Sequence, residues 1–328
     1  MSIAKYPDIF DELKAEVRAA GLLERVPVRG TLEMIAIMIS MALVYVAVFN
    51  WNSFSGNTLA PIALGLFMTI IFTRAVFVSH DILHRQYFKK KSLSFQLSYP
   101  FSAFILSNSS SWWDFKHNIN HHTWCNVPEK DEDILAMDGA FAPGHTGNKT
   151  WLRASKYLVF WGSMFFMYFA FIVQSYNFAI KRKLWGELAL MLMHWPLVWG
   201  VIFYMLPFSD AIVVFLVLNF TLSPWLAFGF ITNHLGCEVI DKKDSEDLTW
   251  MELQMRTSRS LTGGWLVHWF YGGLNTQIEH HLFPKAPRFN LLKVQDMTRE
   301  FAKKHNIEYF ETTPIEAYVQ INDVLKEY

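Results

Sequence analysis

Long apolar runs alternate with polar segments along the chain. Five runs approach or reach the roughly 20 residues that cross a bilayer as a helix: Met34–Phe49, Leu59–Ser79, Tyr157–Tyr176, Leu188–Leu206 and Ala211–Ile231. The first is slightly short, and the second is interrupted by Arg74. Ahead of them, Ile9, Phe10, Leu13 and Val17 recur at helical spacing, which predicts an amphipathic N-terminal helix. That segment lacks the apolar core of a signal peptide. The pattern predicts an all-α integral membrane protein.

Basic residues orient the runs, because cytoplasmic loops are enriched in Lys and Arg. The N-terminal segment carries Lys5, Lys14, Arg18, Arg25 and Arg29. The stretch after the second run carries Arg85, Lys89, Lys90, Lys91, Lys116 and Lys130. The links "NWNSFSGNT" and "PFSD" carry none. Basic residues flank Tyr157–Tyr176 on both sides, Lys149, Arg153 and Lys156 before it and Lys181, Arg182 and Lys183 after it. A single crossing would put one flank outside, so this run is expected in the interface or as a re-entrant segment. Four spans remain, at about 33–50, 59–79, 187–206 and 210–231, with interfacial helices at 95–113 and 154–176. Both termini and the large polar segments then face the cytoplasm. A five-span alternative would place 232–328 opposite 80–150.

Composition agrees: 52% of residues are hydrophobic, 16% aromatic and only 18% charged, below the roughly 25% charged of a soluble domain. A net charge of zero suggests no nucleic-acid partner. Two cysteines make no disulfide framework. There is no internal repeat or low-complexity tract.

The chemistry lies in the histidines. Eight of the 12 fall in four short stretches: His80 and His84 in "HDILH", His117, His121 and His122 in "HNINHH", His234 in "NHLG", and His280 and His281 in "QIEHH". The charge-based topology places all four at one membrane face. On an α-helix, i and i+4 share a face, so His80/His84, His117/His121 and Gln277/His281 can each aim two groups at one point. Scattered surface histidines are the plain alternative, and four clusters on one side argue against it. Neutral imidazole suits zinc, copper, iron and nickel. Eight imidazoles exceed the four ligands of a closed zinc site, so two ions are expected. Asp81, Asp114, Asp131 and Asp133 are placed to orient imidazoles through their second N–H, with solvated surface carboxylates as the alternative.

Glu279 reads differently. "TQIE" matches a capping box with Thr276 as N-cap, bounded by Gly272 and Gly273 before and Pro284 after. Glu279 is therefore expected to cap a helix rather than act as a base. Cys125 and Cys237 each follow a clustered histidine by three residues and read as small buried residues rather than thiolate ligands. His194 lies inside a span, where an ionisable group is functional or hydrogen-bonded. His145, His268 and His305 look incidental. Arg74 suits either a lipid headgroup or an ion pair.

"HDILH", "KHNINHHTWCN" followed by "DEDI", and "GGLNTQIEHHLFP" resemble the three histidine boxes of the membrane fatty acid desaturase family, over about residues 60 to 290. The resemblance implies a four-span membrane domain over 31–284 with a cytoplasmic histidine-rich helical cap, preceded by a cytoplasmic segment 1–30 and followed by a helical segment 285–328. It implies two iron ions held by His80, His84, His117, His121, His122, His234, His280 and His281. Gln277 takes the place of a further histidine as a weak or supporting ligand, and Asp81 and Asp114 are possible supports. It further implies O₂ as co-substrate and removal of two hydrogens from an acyl-CoA or acyl-lipid chain to leave a cis double bond. The glutamine opening the third box looks like the front-end branch. No cytochrome b5 domain is expected before residue 30 or after 290, and "HPGG" is absent, so a separate cytochrome b5 or ferredoxin is the expected electron donor. A lipid hydroxylase on the same scaffold is the near alternative, and a non-catalytic metal carrier the distant one.

Overall fold

The computed structural model describes residues 9–54, 56–128, 130–132 and 150–327. Helices dominate these residues; the strands are one two-residue parallel pair, Ser260–Leu261 against Glu311–Thr312. The chain divides into two compact units. One comprises Val26–Asp114 and Ser163–Ala227; the other comprises Met1–Arg25, Phe115–Gly162 and Phe228–Tyr328.

Five helices are long and apolar enough to cross a membrane: Pro27–Phe49, Ala60–Leu83, Tyr157–Lys181, Trp185–Met205 and Phe208–His234. Four were expected to cross; Tyr157–Lys181 meets the same length and composition criteria. It is not uniform, since a 3-10 turn at Met164–Phe166 separates its two α-helical parts. The first helix begins six residues before its expected start, because Pro27 at the first turn is preset for helix entry. The second runs four residues past its expected end, so His80 sits in its last turn and His84 at its C-cap. The last also runs on, so His234 closes the helix instead of following it.

Within the first unit, small residues and hydroxyls join the spans. A Cβ on Gly65 would come within 2.8 Å of Val217, so glycine permits the close approach of Ala60–Leu83 and Phe208–His234. One turn along, Thr69 Oγ1 lies 2.6 Å from Thr221 Oγ1. Gly30 has the same role beside Tyr87, whose ring would lie 2.3 Å from a Cβ there. Trp51 Nε1 donates to Asp210 Oδ2 at 2.9 Å, joining the turn after the first span to the start of the last. His194 is hydrogen-bonded, with Nδ1 2.9 Å from the Phe104 carbonyl. Arg74 stacks on Phe77, 5.4 Å from the ring centroid.

The second unit has a soluble-type core. Leu13 and Val17 of the helix Phe10–Ala19 pack with Met251, Ile278, Leu291, Val294 and Phe301, and Ile9 and Phe10 cover the edge. The N-terminal amphipathic helix is thus present. His305 lies beside Glu12, Nε2 to Oε1 at 3.4 Å, in a surface ion-pair group with Lys304.

Candidate metal centre

Six of the eight predicted histidines gather in the second unit. His122 lies at ring-centroid distances of 4.4 Å from His281, 4.7 Å from His280 and 4.7 Å from His117. His234 lies 4.7 Å from His121 and 5.0 Å from His281. Five of them are buried and His234 is half-buried. In the first unit, His80 and His84 are both buried with ring centroids 4.5 Å apart.

The second box reaches this geometry by an unexpected route. Asp114–His121 is a π-helix, not the α-helix its spacing suggested. Bonding from i to i+5 widens each turn by one residue. His121 and His122 therefore both flank His117, and the Nε2 atoms of His117 and His122 lie 3.2 Å apart. The third box obtains the same face from an ordinary α-turn, Gln277–Leu282, with partners at i+3 and i+4. HxxxHH on a π-turn and QxxHH on an α-turn are the same device.

Three imidazoles are fixed through Nδ1. His121 Nδ1 lies 2.9 Å from Asp131 Oδ2, His281 Nδ1 lies 2.6 Å from Gln254 Oε1, and His234 Nδ1 lies 3.1 Å from the Thr257 carbonyl. A carbonyl or carboxylate oxygen only accepts, so each Nδ1 is the protonated nitrogen and each Nε2 carries the lone pair. Gln277 sits where those lone pairs meet: its Nε2 is 2.7 Å from His234 Nε2 and 3.2 Å from His281 Nε2, and its Oε1 accepts from Asn233. Burial, then the imidazoles of His122, His121, His234 and His280, hold the His281 pKa well below its ordinary value. Neutral imidazoles with inward lone pairs are the state that binds a cation. Ligand atoms of His121, Cys125, His234 and His281 all lie within 4.8 Å of one another. The group fits a metal site. Cys125 fits it less well, since burial and Asp131 hold its thiol pKa well above the ordinary range.

The acidic residues divide. Asp131 supports His121 as expected. Asp81 Oδ1 lies 3.3 Å from His80 Nδ1, and its Oδ2 accepts from Tyr87 at 2.9 Å. Asp114 accepts from Lys91 Nζ at 3.0 Å. Asp133 and His145 lie outside the described residues. The capping box does not form: Thr276 makes no side-chain cap, and its Oγ1 donates to the Gly273 carbonyl at 2.7 Å. Glu279 is instead fully buried, accepting from Tyr309 at 2.8 Å and Ser260 at 2.9 Å. Burial raises its pKa to about 7 against the lowering effect of those two hydroxyls.

Gln254 and Thr257, both on the helix Trp250–Thr257, carried no signal in the sequence. Nor did the narrow, mostly apolar cavity of about 30 Å³ in the first unit, where Val76, Leu106, Trp113, Phe171 and Leu226 stand beside His80.

The family model for fatty acid desaturases matches residues 57–313. The chain belongs to the fatty acid desaturase family. An acyl-lipid (9-3)-desaturase of Physcomitrium patens is 29% identical over 98% of this chain and 63% of its own length. A Delta(5) fatty acid desaturase of Caenorhabditis elegans is 27% identical over 92% of this chain and 69% of its own, and a Delta(6)-fatty-acid desaturase of that organism 26% identical over 98% and 75%. This desaturase-family chain thus spans less than the full length of these relatives. Family and apolar helices together make it a multi-pass membrane protein.

Proposed function

We propose that the chain is an O₂-dependent fatty acyl desaturase of the front-end kind, inserting a cis double bond into an acyl-lipid or acyl-CoA chain. The observation that carries this is the set of grouped histidines, buried but for the half-buried His234, with Nδ1 engaged and Nε2 presented in His121, His234 and His281. An unactivated methylene has no proton that a side-chain base can remove, so the reaction needs a metal-centred oxidant. Two irons, when bound, would supply with O₂ the oxidising power to take two hydrogens from adjacent carbons. Those hydrogens, with two electrons and two protons, reduce O₂ to two waters. The proposed ligands are His117, His121, His122, His234, His280 and His281, together with His80 and His84. Gln277 lies beside two of them as a weak or supporting partner. Asp131, Gln254 and the Thr257 carbonyl would fix three of the rings, and Asp81 would fix His80. The apolar side chains of Val76, Leu106, Trp113, Phe171 and Leu226 beside His80 suit contact with methylene groups, and holding one carbon of an acyl chain in register is catalysis by positioning. The names of the relatives, Delta(5), Delta(6) and acyl-lipid, support the substrate class, and the third-box glutamine supports the front-end branch. A cytochrome b5 or a ferredoxin would deliver the electrons.

Four crossings with the histidines and both termini in the cytoplasm fit the charge distribution. The Trp51–Asp210 bond supports that count. Trp51 follows the first apolar helix and Asp210 opens the last, so their bond fits both lying at one membrane end, whereas a fifth crossing by Tyr157–Lys181 would send them to opposite faces. That helix would then lie in the interface.

The test is expression in yeast fed with polyunsaturated precursors, with gas chromatography of fatty acid methyl esters and iron assay of the purified protein. A new alkene and two irons per chain are expected, and both are lost in His121→Ala and His281→Ala proteins that still insert. A hydroxy product without an alkene would assign a hydroxylase. Stoichiometric binding of a different metal, without turnover, would assign a carrier.

A further inference from the structure

The helix Pro314–Glu327 leaves Ile315 76% and Val319 55% exposed, one turn apart on one face. The helix Gly264–Phe270 leaves Trp265, Leu266 and Trp269 exposed by 74%, 59% and 43%. The two helices start side by side. Leu261 pairs with Thr312 in the parallel ladder, and each strand enters its helix within three residues. Val267 and Phe270 pack onto Leu261, Tyr271 and Ala317, which leaves the other apolar side chains outward. Single exposed apolar residues are ordinary, but a group of five with two tryptophans marks an interaction surface.

What the same face touches identifies its occupant. Tyr318 and Asn322, three and seven residues after Ile315, share its stripe of the helix. Trp161 Nε1 donates to Asn322 Oδ1 at 3.0 Å, and the Tyr318 ring lies 6.0 Å from Trp161 and 5.3 Å from Phe228. Trp161 belongs to the apolar helix Tyr157–Lys181, and Phe228 to the membrane helix Phe208–His234. Phe228 lies six residues from the end of that helix, about 9 Å at 1.5 Å per residue. Leu158, one turn before Trp161, is 77% exposed. The stripe bearing Ile315 and Val319 is therefore turned toward helices at the membrane boundary. Tryptophan favours that boundary.

We propose that Gly264–Phe270 and Pro314–Glu327 form an in-plane foot, seating Trp265, Leu266, Trp269, Ile315 and Val319 in the headgroup–acyl boundary of the membrane the chain already spans. The C-terminal helical segment is then a surface-bound element instead of one free in the cytoplasm. Seating of this kind needs only shallow apolar burial.

The full chain, reconstituted in phosphatidylcholine nanodiscs, provides the test. A polarity-sensitive fluorophore is placed on Trp265→Cys, Val319→Cys or the exposed control Lys303→Cys, each in a Cys237→Ser background. Doxyl-labelled phosphatidylcholine is expected to quench the labels at 265 and 319 several-fold more than the label at 303, with aqueous iodide showing the reverse order. Iodide quenching at 265 and 319 equal to that at 303 would overturn the proposal. So would shielding from both quenchers, which would mean that protein covers the face.

Discussion

Gln254 sits in "WMELQMRTSRS", outside every histidine motif, yet its amide touches two parts of the histidine group. Its Oε1 accepts from His281 Nδ1 at 2.6 Å, and its Nε2 donates to the His122 carbonyl at 3.3 Å. Gln254→Leu would leave the buried His281 N–H without its acceptor, a cost of about 1–3 kcal/mol, and would free the ring to turn. Loss of such an orienting partner lowers metal affinity roughly 10–100-fold. Iron retained per chain against a chelator series is expected to fall by that order in Gln254→Leu and in Asp131→Leu, and to be largely kept in Gln254→Glu, which still accepts. Unchanged retention in Gln254→Leu would remove its orienting role. The histidines were legible because they are scarce and cluster at helical spacing. A lone glutamine has no pattern, and Thr257 acts through a backbone carbonyl that any residue would supply. Glu279 was misread for a related reason: the T-x-x-E pattern is local, while burial beside Ser260 and Tyr309 is set by residues 19 and 30 positions away.

At the scale of elements, hydropathy found the helices and mis-set their ends, because spans continue through polar residues such as Arg29, His80 and His234 once their ladder is begun. The π-turns are the larger omission. Pro100–Ile105 and Trp195–Gly200 each begin at or beside a proline, whose missing N–H disrupts the usual ladder. Asp114–His121 has no proline, and its wide turn coincides with the grouping of His117 and His122. A prediction separates the two boxes. Deleting the half-exposed Ile119 turns HNINHH into HNNHH, which an ordinary α-turn presents on one face, so the protein is expected to keep bound iron. Deleting the buried Ile278 shifts Gln277 off the face of His280 and His281, and iron is expected to be held less tightly than in the Ile119 deletion. Iron-to-protein ratios of the two purified deletions check this.

At the scale of the whole molecule, multi-pass organisation and family were readable from apolar runs, basic loops and three motifs. The division into two compact units was not, because each draws on separated stretches of chain. Topology gives the remaining prediction: tags after residue 328 and near residue 145 are both expected to be reached by protease only from the cytoplasmic side, and protection of either one would restore an odd number of crossings. A last consequence attaches to His234. It ends a 27-residue helix that packs, at Val217 and Thr221, against Gly65 and Thr69 of a neighbouring span. A helix seated in lipid responds to hydrocarbon thickness by tilting. Here that tilt would be carried to an imidazole at its tip. Under the proposed function, acyl composition would then act back on the geometry of the histidine group.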